Sequence, residues 1–136
     1  MKVWIGYSSE HSSRIALVGH FETPELAKEF LGEYQKVQEL AVSHFDECQE
    51  NQDKFPDEIM RLLYNRKIKF TQVITPGDFL EFGMEAHVTT KGKDFVLTSN
   101  EYDWGGTVKM LLMANAKIEV LSRHRHQKEY DEYTSE

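Results

Sequence analysis

Six histidines in 136 residues, His11, His20, His44, His87, His124 and His126, are the side chains of this sequence best suited to chemistry. Imidazole titrates near neutral pH without perturbation, so two of them can serve as acid and base in one reaction. Two of the six stand in a shared pattern. His11-Ser12-Ser13 and His87-Val88-Thr89 each set a hydroxyl two residues after the ring, and on a strand that spacing puts ring and hydroxyl on one face. His124 and His126 project to one side in the same way, but they supply fewer ligands than a tight zinc site uses. The sequence therefore predicts no metal. His20, between Gly19 and Phe21, reads as a strand end whose ring bonds the backbone.

The paired His-x-Ser/Thr units resemble the signature of the two-histidine phosphoesterases. The resemblance implies a hydrolase of phosphoesters or nucleotides in which His11 and His87 are base and acid while Ser13 and Thr89 hold a phosphate oxygen. His87-Val88-Thr89 has the strand context of that pattern. His11 instead lies in the polar run Ser8-Ser9-Glu10-His11-Ser12-Ser13, where the family has apolar strand residues. Other chemistry finds little support. Cys48 follows Asp46 and Glu47, whose charges disfavour a thiolate nucleophile. Gly105-Gly106-Thr107 opens a helix as an anion site does, but has no basic residue close by on its strand side. No dinucleotide fingerprint, phosphate-loop lysine or nucleophile elbow occurs. No cofactor is expected.

The bulk numbers bound the rest. With 40% apolar and 12% aromatic residues the chain can bury a core as one domain, expected over residues 1–126. One cysteine excludes an intrachain disulfide framework and fits a reducing compartment, so a soluble cytoplasmic protein is expected. No run approaches the ~18 apolar residues of a spanning helix, and Val3-Trp4-Ile5 reads as a strand where a leader would be, so no membrane is expected. Net charge is −7, and residues 22–58 hold eleven acids against three bases, Lys28, Lys36 and Lys54. Arg61, Arg66, Lys67 and Lys69 follow. An acidic excess argues against a nucleic-acid partner, whose phosphates demand cations. It suits a basic protein partner met through charge complementarity.

The elements that must position these groups follow from local chemistry. Lys2–Tyr7 and Arg14–Phe21 alternate as strands, and their six-residue link predicts a hairpin. Thr23-Pro24-Glu25 is a helix start: a capping hydroxyl, a proline at the first helical position and an acid. Leu26, Phe30, Tyr34, Val37 and Ala41 then carry an apolar stripe to about Phe45. Gln49–Lys54 reads as a connector, Asp57–Tyr64 as a short helix, and Thr75-Pro76-Gly77-Asp78 as a second helix start. Glu85–Thr90 and Asp94–Ser99 form a hairpin around Lys91-Gly92-Lys93, Thr107–Ala114 is helical with Asn115 as a left-handed terminator, and Lys117–Arg123 is the last strand. Gln127–Glu136 lacks aliphatic residues and is expected to be a flexible charged tail.

Two hairpin-plus-helix units of this kind predict an α+β fold, an antiparallel sheet with helices on one face. The hairpin and the helix after Phe21-x-Thr23-Pro24-Glu25 resemble pieces of ferredoxin-like sandwich domains, which speaks to fold alone. Its core should bring Phe30, Leu31 and Val37 against Ile5, Leu17, Val96 and Val120. The function expected first is a binding or regulatory module working by protein–protein contact, possible in the form of an acidic inhibitor-type protein. Glu47, Glu50 and Asp53 would mark its interface, and a homodimer would form through a sheet edge or face. Phosphoester or nucleotide hydrolysis by His11, Ser13, His87 and Thr89 is the alternative.

Overall fold

The computed structural model describes residues 14–50, 57, 60–61, 75–82, 86–99, 105–123 and 125–134. In chain order the elements are β1 (Ile15–His20), α1 (Pro24–Ser43), α2 (Phe45–Glu50), α3 (Pro76–Glu81), β2 (Ala86–Lys91), β3 (Asp94–Ser99), α4 (Gly105–Met113), β4 (Lys117–Ser122) and α5 (Gln127–Thr134). The strands form one antiparallel sheet in the order β2-β3-β1-β4. This is an α+β fold. Its four strands and the helices α1 and α4 follow the β-α-β-β-α-β order, with β3 set between β1 and β2 as in split β-α-β sandwiches.

Every residue of β1 is matched on both sides, for example Leu17 to Leu97 on β3 and to Val120 on β4. Both edges of Ile15–His20 are thus occupied among the described residues, and residues 2–7, the expected hairpin partner, lie outside them. The second hairpin is present. Lys91 faces Asp94 across Gly92 and Lys93, and Gly92 has φ 57°. A two-residue turn that follows the twist of the strands needs positive φ at its first central position, which glycine supplies without strain.

The local chemistry of α1 is as the sequence predicts at its start. The Thr23 hydroxyl accepts from the Leu26 N–H at 3.2 Å, and Pro24 takes the first helical position. The helix ends two residues earlier than its apolar stripe suggests, at Ser43, with His44 as cap and α2 beginning at Phe45. Ala27, Phe30, Tyr34, Val37, Leu40 and Ala41 are its buried face. They meet Leu17, Phe95, Leu97, Phe79, Phe82, Met110 and Leu111 in the main core. Aromatic rings bind the layers: Phe30 sits edge-on to Phe95 at 4.8 Å, and Tyr34 edge-on to Phe82 at 5.4 Å. Such pairs add roughly 0.5–1.5 kcal/mol each beyond the area they bury. Leu31 and Val120 pack against this core half-buried, and Ile5 lies outside the described residues.

Helix α4 ends in a double lock. The Ala116 N–H bonds the Leu111 carbonyl at 3.0 Å, the Asn115 N–H bonds that of Leu112 at 3.1 Å, and Asn115 has φ 60°. This is the Schellman termination that an asparagine in the left-handed region permits, as its place in the sequence predicts.

The opposite face of the sheet is where expectation and structure part. Gln127–Thr134 is a helix, α5, and no frayed tail. Its Tyr130 is buried with Ala16, Val18 and Leu121, and Tyr133 packs against that cluster. Val96, directly opposite Val18, therefore belongs to this second layer and not to the core under α1. Helices lie on both faces of the sheet. Low aliphatic content misleads here because two tyrosines bring enough ring area to cover small and β-branched strand residues. Among the described residues no helix is long and apolar enough to cross a membrane.

Candidate functional site

A cluster of titratable side chains lies at the end of β1 on the face covered by α5. Alternation along β1 sends Ala16, Val18 and His20 to that face, and antiparallel pairing sets Asp94 of β3 beside His20 on one side and Lys117 of β4 on the other. Glu119, two residues along β4, shares the face. The result is a histidine held from both sides. His20 Nδ1 lies 2.7 Å from Asp94 Oδ1, and Nε2 lies 2.5 Å from Glu119 Oε1.

Ionised carboxylates accept and do not donate, so both ring nitrogens must donate, and the ring that fits this site is the imidazolium cation. Burial works against that charge. The two hydrogen bonds and the negative charges of Asp94 and Glu119 outweigh it and hold the His20 pKa above its ordinary value of 6.5. Tyr133 of α5 meets the ring edge-on at 6.4 Å. Burial, then the charges of Asp94 and Glu119, push the Tyr133 pKa above 10.0. Lys91 of β2, opposite Asp94, donates from Nζ to the Glu132 carbonyl at 2.8 Å, in the last turn of α5 where a cation suits the helix dipole.

This arrangement binds a proton and joins four elements. With both nitrogens donating to carboxylates, His20 offers no lone pair to take a substrate proton, so the cluster as it stands is an electrostatic joint and not a general base. His20 thus does not bond the backbone as its strand-end position suggests. Its partners are 74 and 99 residues away in the sequence. The signal that would have found them is the pairing register, since Asp94 and Glu119 are carboxylates at strand positions turned to the same face as His20.

The residues singled out from the sequence fall elsewhere. His87 is exposed on β2, an outer strand of the sheet, and Thr89 is half-buried on the same face. His11 and Ser13, the other half of the pattern, lie outside the described residues, as do Asp53 and His124. His126 is exposed just before α5, where its N–H bonds the Ser122 carbonyl and its own carbonyl accepts from Tyr130. Glu50 is exposed at the end of α2, which also contains Glu47. Gly105 and Gly106 open α4, and the Thr107 hydroxyl there is buried against that of Tyr34 at 3.0 Å. Among the described residues no group of three metal-ligating side chains has the geometry to hold an ion.

A family model matches residues 1–133, and the chain belongs to that family, a family of unknown function (DUF6375). No curated protein matches the chain, and no solved structure does.

Proposed function

We propose that this chain is a small binding or regulatory module of a reducing compartment such as the cytoplasm, acting by protein–protein contact through the outward side of α1 and α2. The observation that carries this reading is Val42. It is 65% exposed near the end of α1, between exposed Glu39 and the exposed Asp46 and Glu50 of α2. An exposed apolar side chain with exposed acids three residues before it and four and eight residues after it offers what a contact with a basic protein uses: steering from the charges and desolvation of the apolar group. Further along α1, Glu25 and Glu29 extend the acidic surface, interrupted by Lys28 and Lys36. An acidic inhibitor of a basic protein is the concrete form this takes. Self-association along β2 or β4, the outer strands of the sheet among the described residues, belongs to the same reading, because a strand edge invites pairing.

The test compares three immobilised proteins in native cell lysate: wild type, Val42→Asp, and the double variant Asp46→Lys/Glu50→Lys. Wild type should retain a partner that both variants retain poorly. The deficit of the charge variant should shrink as salt rises, because exposed charges are screened beyond about 8–10 Å at physiological ionic strength. Equal retention of the same partner by all three would refute the α1–α2 surface. Turnover of a generic phosphodiester, lost in His87→Ala, would favour hydrolysis instead.

A further inference from the structure

Helix α5 is too weak to stand alone. It has eight residues, Gln-Lys-Glu-Tyr-Asp-Glu-Tyr-Thr, and Tyr130 is its buried one. Isolated helices shorter than ~12–15 residues are marginal in water, so α5 persists because it is docked. Its docking has an apolar half and a polar half. The apolar half is Tyr130 over Ala16, Val18 and Leu121. The polar half gathers at the other end, where Tyr133 meets the His20 ring edge-on and Lys91 holds the Glu132 carbonyl.

The polar half depends on one proton. While His20 is charged, it neutralises Asp94 and Glu119, and both carboxylates hold its ring in place against Tyr133. A neutral ring has one N–H and one lone pair, so one of the two carboxylates would face a lone pair at hydrogen-bond distance. Two carboxylates would then stand beside a neutral ring. We propose that His20, Asp94, Glu119 and Tyr133 form a proton-operated latch, which holds the C-terminal helix on the sheet while the imidazole is charged and loosens it when the proton leaves.

The groups facing His20 come from every element around it. They are Asp94 on β3, Glu119 and Lys117 on β4, Tyr133 with the neighbouring Glu132 on α5, and Lys91 on β2. Carboxylates, lysines and tyrosines ordinarily titrate away from neutrality, which leaves His20 as the group of this corner whose charge changes there. Its pKa is higher in the folded protein than the ordinary 6.5, so the folded state binds the proton more tightly. The stabilisation is therefore complete below the unfolded value and is lost as pH rises through the folded one. Loosening α5 would uncover Ala16, Val18, Val96 and Leu121, an apolar strip on the side of the sheet away from the main core.

The readout is hydrogen exchange at the Tyr130 and Asp131 amides, expressed as protection relative to the intrinsic rate at each pH. In wild type, protection of α5 should fall from about pH 6 to about pH 9, by about tenfold for each unit separating the two His20 pKa values. Protection at Leu17 and Leu97 in the main core should fall much less. In His20→Gln, α5 should be less protected at the acidic end and indifferent to pH. His126→Gln should keep the wild-type fall, since that ring lies at the start of α5 and outside the cluster. A flat wild-type profile, or an undiminished fall in His20→Gln, would overturn the latch. Should His20→Gln unfold altogether, Glu119→Gln decides: half-exposed and on an outer strand, it should fold and show a smaller fall, and an unchanged fall would overturn the latch equally.

Discussion

Tyr34 carries its hydroxyl into the main core, where it meets the Thr107 hydroxyl at 3.0 Å with both residues almost fully buried. Tyr34→Phe leaves Thr107 short of a partner, and the expected loss is about 1–2 kcal/mol in urea melts: the net worth of the bond plus part of the cost of stranding a buried hydroxyl. A loss near zero would mean that the pair contributes no stability. Phe30 is 3% exposed and touches Phe21, Phe95 and Tyr34 with its ring. Its truncation to alanine should cost about 3–5 kcal/mol, as for other packed aromatics, and a cost below about 1 kcal/mol would show that this is not the core face of α1. Both residues were legible in the sequence, because the three- and four-residue stripe of α1 names them. His20 was not. A lone imidazole at a strand end says nothing of partners that only the sheet register brings within reach.

At the scale of elements, close packing and coverage decide stability. Gly19 lets Leu111 of α4 approach β1 so closely that an added Cβ would stand 2.4 Å from Leu111 Cδ2. Leu111 is fully buried and has little room to retreat. Gly19→Val should therefore lower stability by about 1–3 kcal/mol through overpacking, and an unchanged melting temperature would show that α4 can shift. Removal of residues 127–136 should lower the melting temperature and raise binding of a hydrophobic dye, because Val18, Val96 and Leu121 lose their cover. An unchanged melting curve would mean that α5 adds nothing to the fold. The α+β class, the start of α1, the β2–β3 turn and the end of α4 follow from caps, periodicity and turn chemistry, all of which act over a few residues. The pairing of β1 and the docking of α5 do not. The first is a choice among strands far apart in sequence, and the second rests on two tyrosines whose polar neighbours hide any apolar pattern.

For the whole molecule, the two faces of the sheet divide two tasks. One carries the aromatic core and, on its outer surface, the acidic α1–α2 region; the other carries a short helix held by a charged joint. The pH dependence of global stability should reflect the joint. His20 is bound more tightly to its proton when folded, so stability from this residue is largest below pH 6.5 and declines as pH rises through the raised value. Urea midpoints compared across that range for wild type and His20→Gln should converge at the alkaline end, and midpoints that stay equally far apart at every pH would refute the linkage. The proposed contact lies on the other side of the molecule, at Val42 and the exposed acids near it in sequence. The most direct measurement is an NMR titration of the isotope-labelled protein with the partner recovered by affinity capture, reading which backbone amides shift or broaden. Perturbations should centre on Glu39, Val42, Asp46 and Glu50 and weaken as salt is raised. Perturbations confined to the β2 edge around His87 and Thr89, with α1 and α2 silent, would contradict the proposed contact.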